Sequence, residues 1–313
     1  MSLKIIFMGT PEFAVPILKT IHDSKHRILT VYTQSPKKKN RGLKKIFSPV
    51  QIFSEKNSLN IRSPEKINSE EELDYLKKSN PDVIVVVAYG KILPKKILSI
   101  QNIHFINIHA SLLPKWRGAA PIQRCLEAGE KETGTTAMLM EPGLDSGPIL
   151  LQKKLKILKE DDASSIHKKL SNLTAKCLLS ATKKYCLGEI KPIKQNISKA
   201  TYAKKLEKKE GLIDWKLSSS QIYNKLKGFS PFPGLFTILN DEKLKIINGN
   251  PLNLEHSQKP GTIIETESKL IVACGQNTSF FIKTLQRPGK NILYFDEFLR
   301  GSKIEKGFSF EQK

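Results

Sequence analysis

Val83-Ile84-Val85-Val86-Val87-Ala88 is a continuous apolar run, β-branched in all but its last residue. A strand with one face in water alternates polar and apolar positions, so a run without alternation belongs to a strand covered on both faces. Leu3 to Met8, Ile28 to Thr33 and Ile103 to Ile108 read as further strands, separated by helical or irregular stretches that include Ser69 to Ser79. Buried strands alternating with helices imply a parallel sheet with helices on both sides. The first two thirds of the chain is thus expected to be an α/β domain with an open, mostly parallel, Rossmann-like sheet.

The turn after the first strand narrows what that sheet can bind. Thr10-Pro11-Glu12 predicts a helix start, with Thr10 as N-cap, a proline at the first helical position and an acid in the first turn. Gly9-Thr10-Pro11-Glu12-Phe13-Ala14 lacks the second and third glycines that let a backbone approach a pyrophosphate, so no NAD is expected.

Further along, Gly134 to Met140 and Ile149 to Ile157 read as strands around a turn-rich loop. Ile166, Leu170, Leu173, Cys177 and Leu178 have helical spacing within Ser164 to Tyr185, a helix that closes the domain. Residues 188–204 are polar, carry Gly188 and Pro192, and show no period, which places a linker there. After a helix at Ser218 to Phe229 come short strands at Leu235 to Leu239, Leu244 to Asn248, Gly261 to Thr266, Leu270 to Cys274 and Ser279 to Thr284. That pattern predicts a small OB-like β-barrel. The expected division is 1–187 for the α/β domain, 188–204 for the linker and 205–313 for the barrel.

A chain of 313 residues, 39% hydrophobic and 26% charged, has the composition of a globular protein with room for two cores. No apolar run approaches the roughly 20 residues that cross a bilayer, and Met1-Ser2-Leu3-Lys4 leads into a strand rather than a leader peptide. A cytoplasmic protein without membrane association, acting as a monomer, is expected. Cys125, Cys177, Cys186 and Cys274 are scattered among apolar neighbours and read as thiols rather than disulfides or zinc ligands. His22, His26, His104, His167 and His256 form no cluster with cysteines or acids, so no metal is expected. The net charge of +22 would attract a polyanion, although a lysine-rich genome accounts for part of it without any partner.

Alternation along Phe105-Ile106-Asn107-Ile108-His109 puts Asn107 and His109 on one face at the carboxyl end of a strand, where open α/β sheets bind ligands. Taken alone, an Asn-x-His pair is more often a strand end beside a satisfied histidine. The longer run Asn107-Ile108-His109-Ala110-Ser111-Leu112-Leu113-Pro114, followed by Glu141-Pro142-Gly143-Leu144-Asp145-Ser146-Gly147-Pro148, resembles the folate-dependent formyltransferase family. The resemblance implies that Asn107, His109 and Asp145 are catalytic, that 10-formyltetrahydrofolate is the formyl donor, and that Ser111, Leu112, Leu113 and Pro114 shape the folate pocket. Tyr89 and Gly90, at the end of another strand, could line the same crevice.

The chemistry that the resemblance implies asks for these residue types. Formyl transfer between nitrogens passes through a tetrahedral intermediate bearing an oxyanion, which needs fixed donors. The Asn107 amide and a His109 ring N–H can supply them. The imidazole can also assist proton movement from the attacking amine to the departing folate nitrogen, with Asp145 setting its charge and orientation.

Arg117-Gly118-Ala119-Ala120-Pro121-Ile122-Gln123 is most similar to the branch of this family that formylates initiator methionyl-tRNA. The Ser35 to Pro49 insertion, with Lys38, Lys39, Arg41, Lys44 and Lys45, follows the carboxyl end of a strand and so emerges on the active-site side. As a lysine run it reads first as a solvated loop. In that branch a basic loop at this place contacts the tRNA, and Arg41 stands where the family pattern has an arginine. Lys209-Glu210-Gly211-Leu212-Ile213-Asp214-Trp215 and Gly228-Phe229-Ser230-Pro231-Phe232-Pro233-Gly234 resemble segments at the family's domain junction, and a barrel with surface lysines could grip the tRNA backbone. Enzymes that formylate nucleotide-linked amino sugars share the catalytic run, so they remain the rival within the family. A non-catalytic RNA-binding protein on the same scaffold is the rival outside it, and would be expected to have lost the three polar residues.

Overall fold

The computed structural model describes residues 2–39, 44–302 and 304–311. The elements run β1 (Lys4–Gly9), α1 (Val15–His22), β2 (Arg27–Tyr32), β3 (Lys37–Lys39), β4 (Lys44–Ile46), α2 (Pro49–Lys56), β5 (Ile61–Arg62), α3 (Glu70–Ser79), β6 (Val83–Val87), α4 (Lys95–Leu98), β7 (His104–His109), β8 (Arg117–Gly118), α5 (Pro121–Glu127), β9 (Glu132–Leu139), β10 (Ile149–Lys156), α6 (Ala163–Cys186) and β11 (Tyr202–Ala203). They continue as α7 (Ser219–Phe229), β12 (Leu235–Leu239), β13 (Glu242–Leu252), β14 (Ile263–Glu265), β15 (Leu270–Ala273), β16 (Ser279–Gln286), β17 (Ile292–Tyr294) and α8 (Phe295–Arg300). Two compact units result. One comprises Met1–Pro121, Glu132–Lys156 and His167–Ala203; the other comprises Ile122–Lys131, Ile157–Ile166 and Lys204–Lys313.

The first unit is built on a seven-stranded sheet of order β10-β9-β7-β6-β1-β2-β5. From β5 to β7 neighbouring strands are parallel, while β9 runs antiparallel to β7 and β10 antiparallel to β9. The unbroken apolar runs account for the parallel part: every residue of β6 is buried, and Ile6, Met8, Tyr32, Ile84 and Val86 pack with Leu73 and Leu76 of α3. At the outer strand β10, Lys153 and Lys154 are exposed and deter pairing with another edge. The mostly parallel α/β sheet is therefore as expected, with β9 the strand that reverses.

One local expectation is overturned. Thr10 does not cap the first helix: a 3₁₀ turn at Glu12–Ala14 has Pro11 at its N-cap without a side-chain bond, and α1 follows at Val15. The Thr10 hydroxyl instead donates to the carbonyl of Tyr89 at 2.8 Å, tying the ends of β1 and β6 together. By contrast Ser69 caps α3 and Ser48 caps α2.

Residues 188–204 carry more order than their polarity suggests. Ile193 exchanges both backbone hydrogen bonds with Ile149, and β11 pairs in parallel with β8. The segment is thus hydrogen-bonded to the first unit up to Ala203.

In the second unit Ser218 and Gln221 form a capping box on α7. Its Ile222, Leu226 and Phe229 pack in a core with Trp215, Phe280 and Phe310. The barrel strands form a six-stranded antiparallel sheet of order β12-β13-β16-β15-β14, with β17 added beside β16. Phe308 and Glu311 bridge its two outer strands: Ile263 donates to the carbonyl of Phe308 at 2.7 Å and Glu311 donates to that of Ile238 at 3.2 Å. All five expected strands are present, and β17 and α8 lie beyond them.

Candidate active site

β7 ends at the candidate site. Its register sets Asn107 beside Val86 of β6 and Met138 of β9, and His109 beside Thr136 of β9. The strand alternates as the sequence predicts, and His109 is buried with 6% of its surface exposed. Beyond it, the turn at residues 111–115 is fastened to β9 and β10. Thr136 donates its hydroxyl to the Ser111 carbonyl at 2.6 Å and accepts from the Leu113 amide at 3.2 Å. The Gln152 amide donates to the Leu113 carbonyl at 2.7 Å. Ser111 and Leu113 are buried, whereas Leu112 and Pro114 are half-buried. Among the four, Leu112 and Pro114 therefore keep side-chain surface for a ligand.

Asp145 enters from the loop between β9 and β10, in the left-handed region with φ of 50°. Both its carboxylate oxygens are engaged. Asn107 Nδ2 donates to Oδ1 at 3.2 Å, and the Gly118 amide donates to Oδ2 at 2.9 Å. The same Oδ2 lies 3.6 Å from His109 Nδ1. The structure thus brings Asn107, His109 and Asp145 into one cluster from stretches 38 residues apart.

The other ring nitrogen of His109 is already committed, since Nε2 lies 2.7 Å from the carbonyl oxygen of Trp116. A carbonyl only accepts, so Nε2 carries hydrogen and a neutral His109 presents a bare Nδ1 toward Asp145. The ring N–H of a neutral His109 is thus engaged by Trp116, and Nδ1 is the nitrogen with a free lone pair. Trp116 holds its carbonyl there from a left-handed backbone with φ of 63°. The Asn107 amide directs one hydrogen to Asp145 and has a second beside it.

Two residues in this cluster carried no functional expectation. Gln195 Nε2 donates to the carbonyls of Asp145 at 2.9 Å and Gly147 at 2.8 Å. Its Oε1 accepts from Arg117 Nε at 3.1 Å and Nη2 at 2.7 Å. Arg117 stands within the quoted motif, but Gln195 lies in the polar stretch read as a linker, where no local pattern marks it.

Tyr89 and Gly90 lie where β6 leaves the sheet. The Tyr89 ring is buried in the core, which pushes its phenol up to about 12, and its carbonyl accepts from Thr10 and Gln34. Gly90 is exposed, with φ of 79°. What this corner offers a ligand is backbone and the Gly90 surface.

The described residues of the basic insertion include an antiparallel pair of strands, β3 and β4, in which Lys38 pairs with Lys45 and Lys39 with Lys44. The Lys45 side chain is exposed beside the exposed Ile46 and Phe47. Arg41 lies outside the described residues. Among the described residues, no three His, Cys, Asp or Glu side chains gather as a metal-binding group. None of the four cysteines is joined in a disulfide.

With this geometry in place, comparison with known proteins gives a consistent result. The formyl transferase family matches residues 3–182, and the formyl transferase C-terminal domain matches residues 205–303. The chain belongs to the formyl transferase family. Within it, the chain is 43% identical over 306 residues to the methionyl-tRNA formyltransferase of Caldanaerobacter subterraneus, covering 97% of this chain and 99% of that protein. It is likewise 43% identical over 309 residues to the methionyl-tRNA formyltransferase of Pelagibacter ubique, covering 98% of each. Among solved structures, the methionyl-tRNA formyltransferase from Clostridium thermocellum superposes with a TM-score of 0.57 at 19% identity, covering 87% of this chain and all of that one. An N-formyltransferase from Helicobacter canadensis bound to folinic acid and dTDP-3-aminofucose gives 0.67 at 19% identity, covering 92% and 100%. These two structures share the fold, and a tRNA enzyme and a sugar enzyme fit it alike.

Proposed function

We propose that this chain transfers the formyl group of 10-formyltetrahydrofolate to the α-amino group of initiator methionyl-tRNA. One observation carries the reaction: Asn107, His109 and Asp145 converge at the carboxyl end of β7, with Nε2 of His109 on the Trp116 carbonyl and its Nδ1 facing Asp145. The acceptor rests on identity of 43% with the methionyl-tRNA formyltransferases of two bacteria along nearly the full chain, since the fold accommodates amino-sugar acceptors equally well.

Each of the three residues has its own task. The methionyl amine attacks the formyl carbon, and the second Asn107 N–H stabilises the oxyanion that forms. The nitrogen must then lose a proton, which the bare Nδ1 of His109 receives. Asp145 balances the imidazolium charge at 3.6 Å, while its other oxygen keeps the Asn107 amide aimed. As the bond from carbon to the folate nitrogen breaks, His109 returns the proton to that nitrogen, leaving tetrahydrofolate and formyl-methionyl-tRNA. The turn of Ser111 to Pro114 and the corner at Tyr89 and Gly90 bound the folate.

We assign catalysis to residues 1–187, tRNA backbone contacts to residues 205–313, and the join to residues 188–204. Lys38, Lys39, Arg41, Lys44 and Lys45 neutralise phosphates near the acceptor end. All three catalytic groups come from one chain, which suits a monomer. No described helix is long and apolar enough to cross a membrane, and we place the reaction in the cytoplasm, where charged initiator tRNA is available. The test is parallel incubation of purified protein and 10-formyltetrahydrofolate with initiator methionyl-tRNA and with an amino-sugar nucleotide. Product on the tRNA alone is expected; product on the sugar alone would overturn the assignment.

A further inference from the structure

We infer that Gln195 and Arg117 are positioning residues that hold the Asp145 carboxylate in its working place, a role that rests on the formyl-transfer reading above. Asp145 is gripped at two ends by neighbouring residues of one strand. The Gly118 amide holds its carboxylate at 2.9 Å, while the Arg117 side chain, through Gln195, holds its backbone carbonyl. Gln195 also takes the Gly147 carbonyl, so two carbonyls of the segment that leaves the left-handed Asp145 are tied to one amide.

The polarity of this relay explains the residue types. Gln195 must donate toward two carbonyls and accept from a guanidinium, which only an amide of this length does. Arg117 is buried at 5% exposure and meets the amide oxygen through two of its nitrogens, a fork that lysine cannot reproduce. Arg117 is itself anchored, because its amide donates to the Thr201 carbonyl at 2.9 Å and β8 pairs with β11. The stretch from Gln195 to Ala203 therefore fastens the catalytic aspartate rather than only joining domains. Without the relay the Asp145 turn keeps its carboxylate contacts but loses its backbone restraint, and a displacement near 1 Å at such a site costs about 100-fold in rate.

Gln195→Glu separates positioning from bulk structure. It preserves side-chain length and the acceptor toward Arg117, yet removes both donors to the Asp145 and Gly147 carbonyls. Steady-state formylation of initiator methionyl-tRNA is measured for wild type, Gln195→Ala, Gln195→Glu and Arg117→Lys, each alone and with Asp145→Asn, alongside thermal melts. The expected result is a kcat lowered by about 10- to 100-fold in each single variant, with KM for both substrates within about 3-fold of wild type. In the Asp145→Asn background the same substitutions should change the rate by less than about 2-fold, because they act through that carboxylate. Wild-type kcat in a folded Gln195→Glu protein, or equal losses in both backgrounds, overturns the inference. Should Gln195→Ala fail to fold, Gln195→Glu and Arg117→Lys carry the same comparison. A wild-type protein that forms no product on the tRNA would instead refute the functional reading and leave no rate to compare.

Discussion

His109 Nε2 lies 2.7 Å from the carbonyl oxygen of Trp116, and this contact fixes the tautomer of the neutral imidazole. With the hydrogen on Nε2, only Nδ1 can accept a proton, which in the proposed reaction is the one shed by the attacking amine. Nitrogen-15 NMR of the neutral enzyme should therefore show a protonated Nε2 and a bare Nδ1 at His109. A proton on Nδ1 would contradict the assigned proton path. His109→Ala should lower kcat by about 10²- to 10⁴-fold, the range for losing a positioned acid–base group.

Asn107→Ala removes the proposed oxyanion donor and one of the two hydrogen bonds to the Asp145 carboxylate. The expected loss in kcat is about 10²- to 10³-fold, as for a single oxyanion-hole donor. Binding of tRNA should stay near wild type, because the amide makes its strongest interaction only when charge develops. A filter-binding or fluorescence titration run beside the kinetics checks the separation. Equal turnover in the variant would remove Asn107 from the mechanism.

Gly118 sits at φ of 119°, and a Cβ there would lie 2.8 Å from the carbonyl oxygen of Ala203. Its amide is the donor to Asp145 Oδ2. Gly118→Ala should thus disturb the β8–β11 pairing and the carboxylate together, at a cost of about 1–3 kcal/mol for the strained backbone. Lower melting temperature with lower kcat is expected, whereas Gly129→Ala, also at positive φ (72°), should lower stability and spare turnover. Circular-dichroism melts paired with rate measurements distinguish the two variants.

The readable parts of this molecule were those with local physical causes. Val83 to Val87 announces a covered strand by composition alone, and Asn107 with His109 announces a shared face by period. The helix at Ser218 to Phe229 and the five strands that follow it are likewise written in short windows. Thr10 shows where such reading fails: a hydroxyl with capping chemistry was recruited by the carbonyl of Tyr89, 79 residues away. Gln195 was invisible for the same reason, its partners Arg117, Asp145 and Gly147 being 78, 50 and 48 residues distant. The proton on His109 Nε2 depended on the left-handed turn at Trp116, which nothing in the neighbouring residues required. Local patterns set the elements, and long-range hydrogen bonds set the chemistry.

Two histidines make the first unit sensitive to acid. Burial depresses His167, which packs its ring against Phe13, with Glu12 opposing the shift. Burial and the charges of Lys25 and Lys183 depress His26, whose Nδ1 accepts from the Leu3 amide at 3.1 Å. Both therefore stay neutral in the folded protein below the ordinary value of 6.5, while the unfolded chain takes up protons first. Their contribution to stability is present above pH about 6.5 and is lost as pH falls through the folded values. The melting temperature should drop between about pH 7 and pH 5, and His167→Gln should flatten that dependence. An unchanged slope in the variant would assign the acid sensitivity elsewhere.

The proposed tRNA contact of the basic insertion rests on Lys38, Lys39, Arg41, Lys44 and Lys45, of which Lys45 is exposed. If they neutralise phosphates, their effect must appear in the salt dependence rather than in the chemistry. Removing one cation that pairs with a phosphate should reduce the slope of log affinity against log salt by about 0.7–0.9. Arg41→Ala and Lys45→Ala should each raise KM for tRNA at low salt, leave kcat near wild type, and converge on wild-type binding as salt rises. The double variant should show about twice the reduction in slope of either. A weakening of binding that is constant across the salt series would mean that these residues act on the fold or on a base, and that the net charge of +22 owes its tRNA contacts to other lysines.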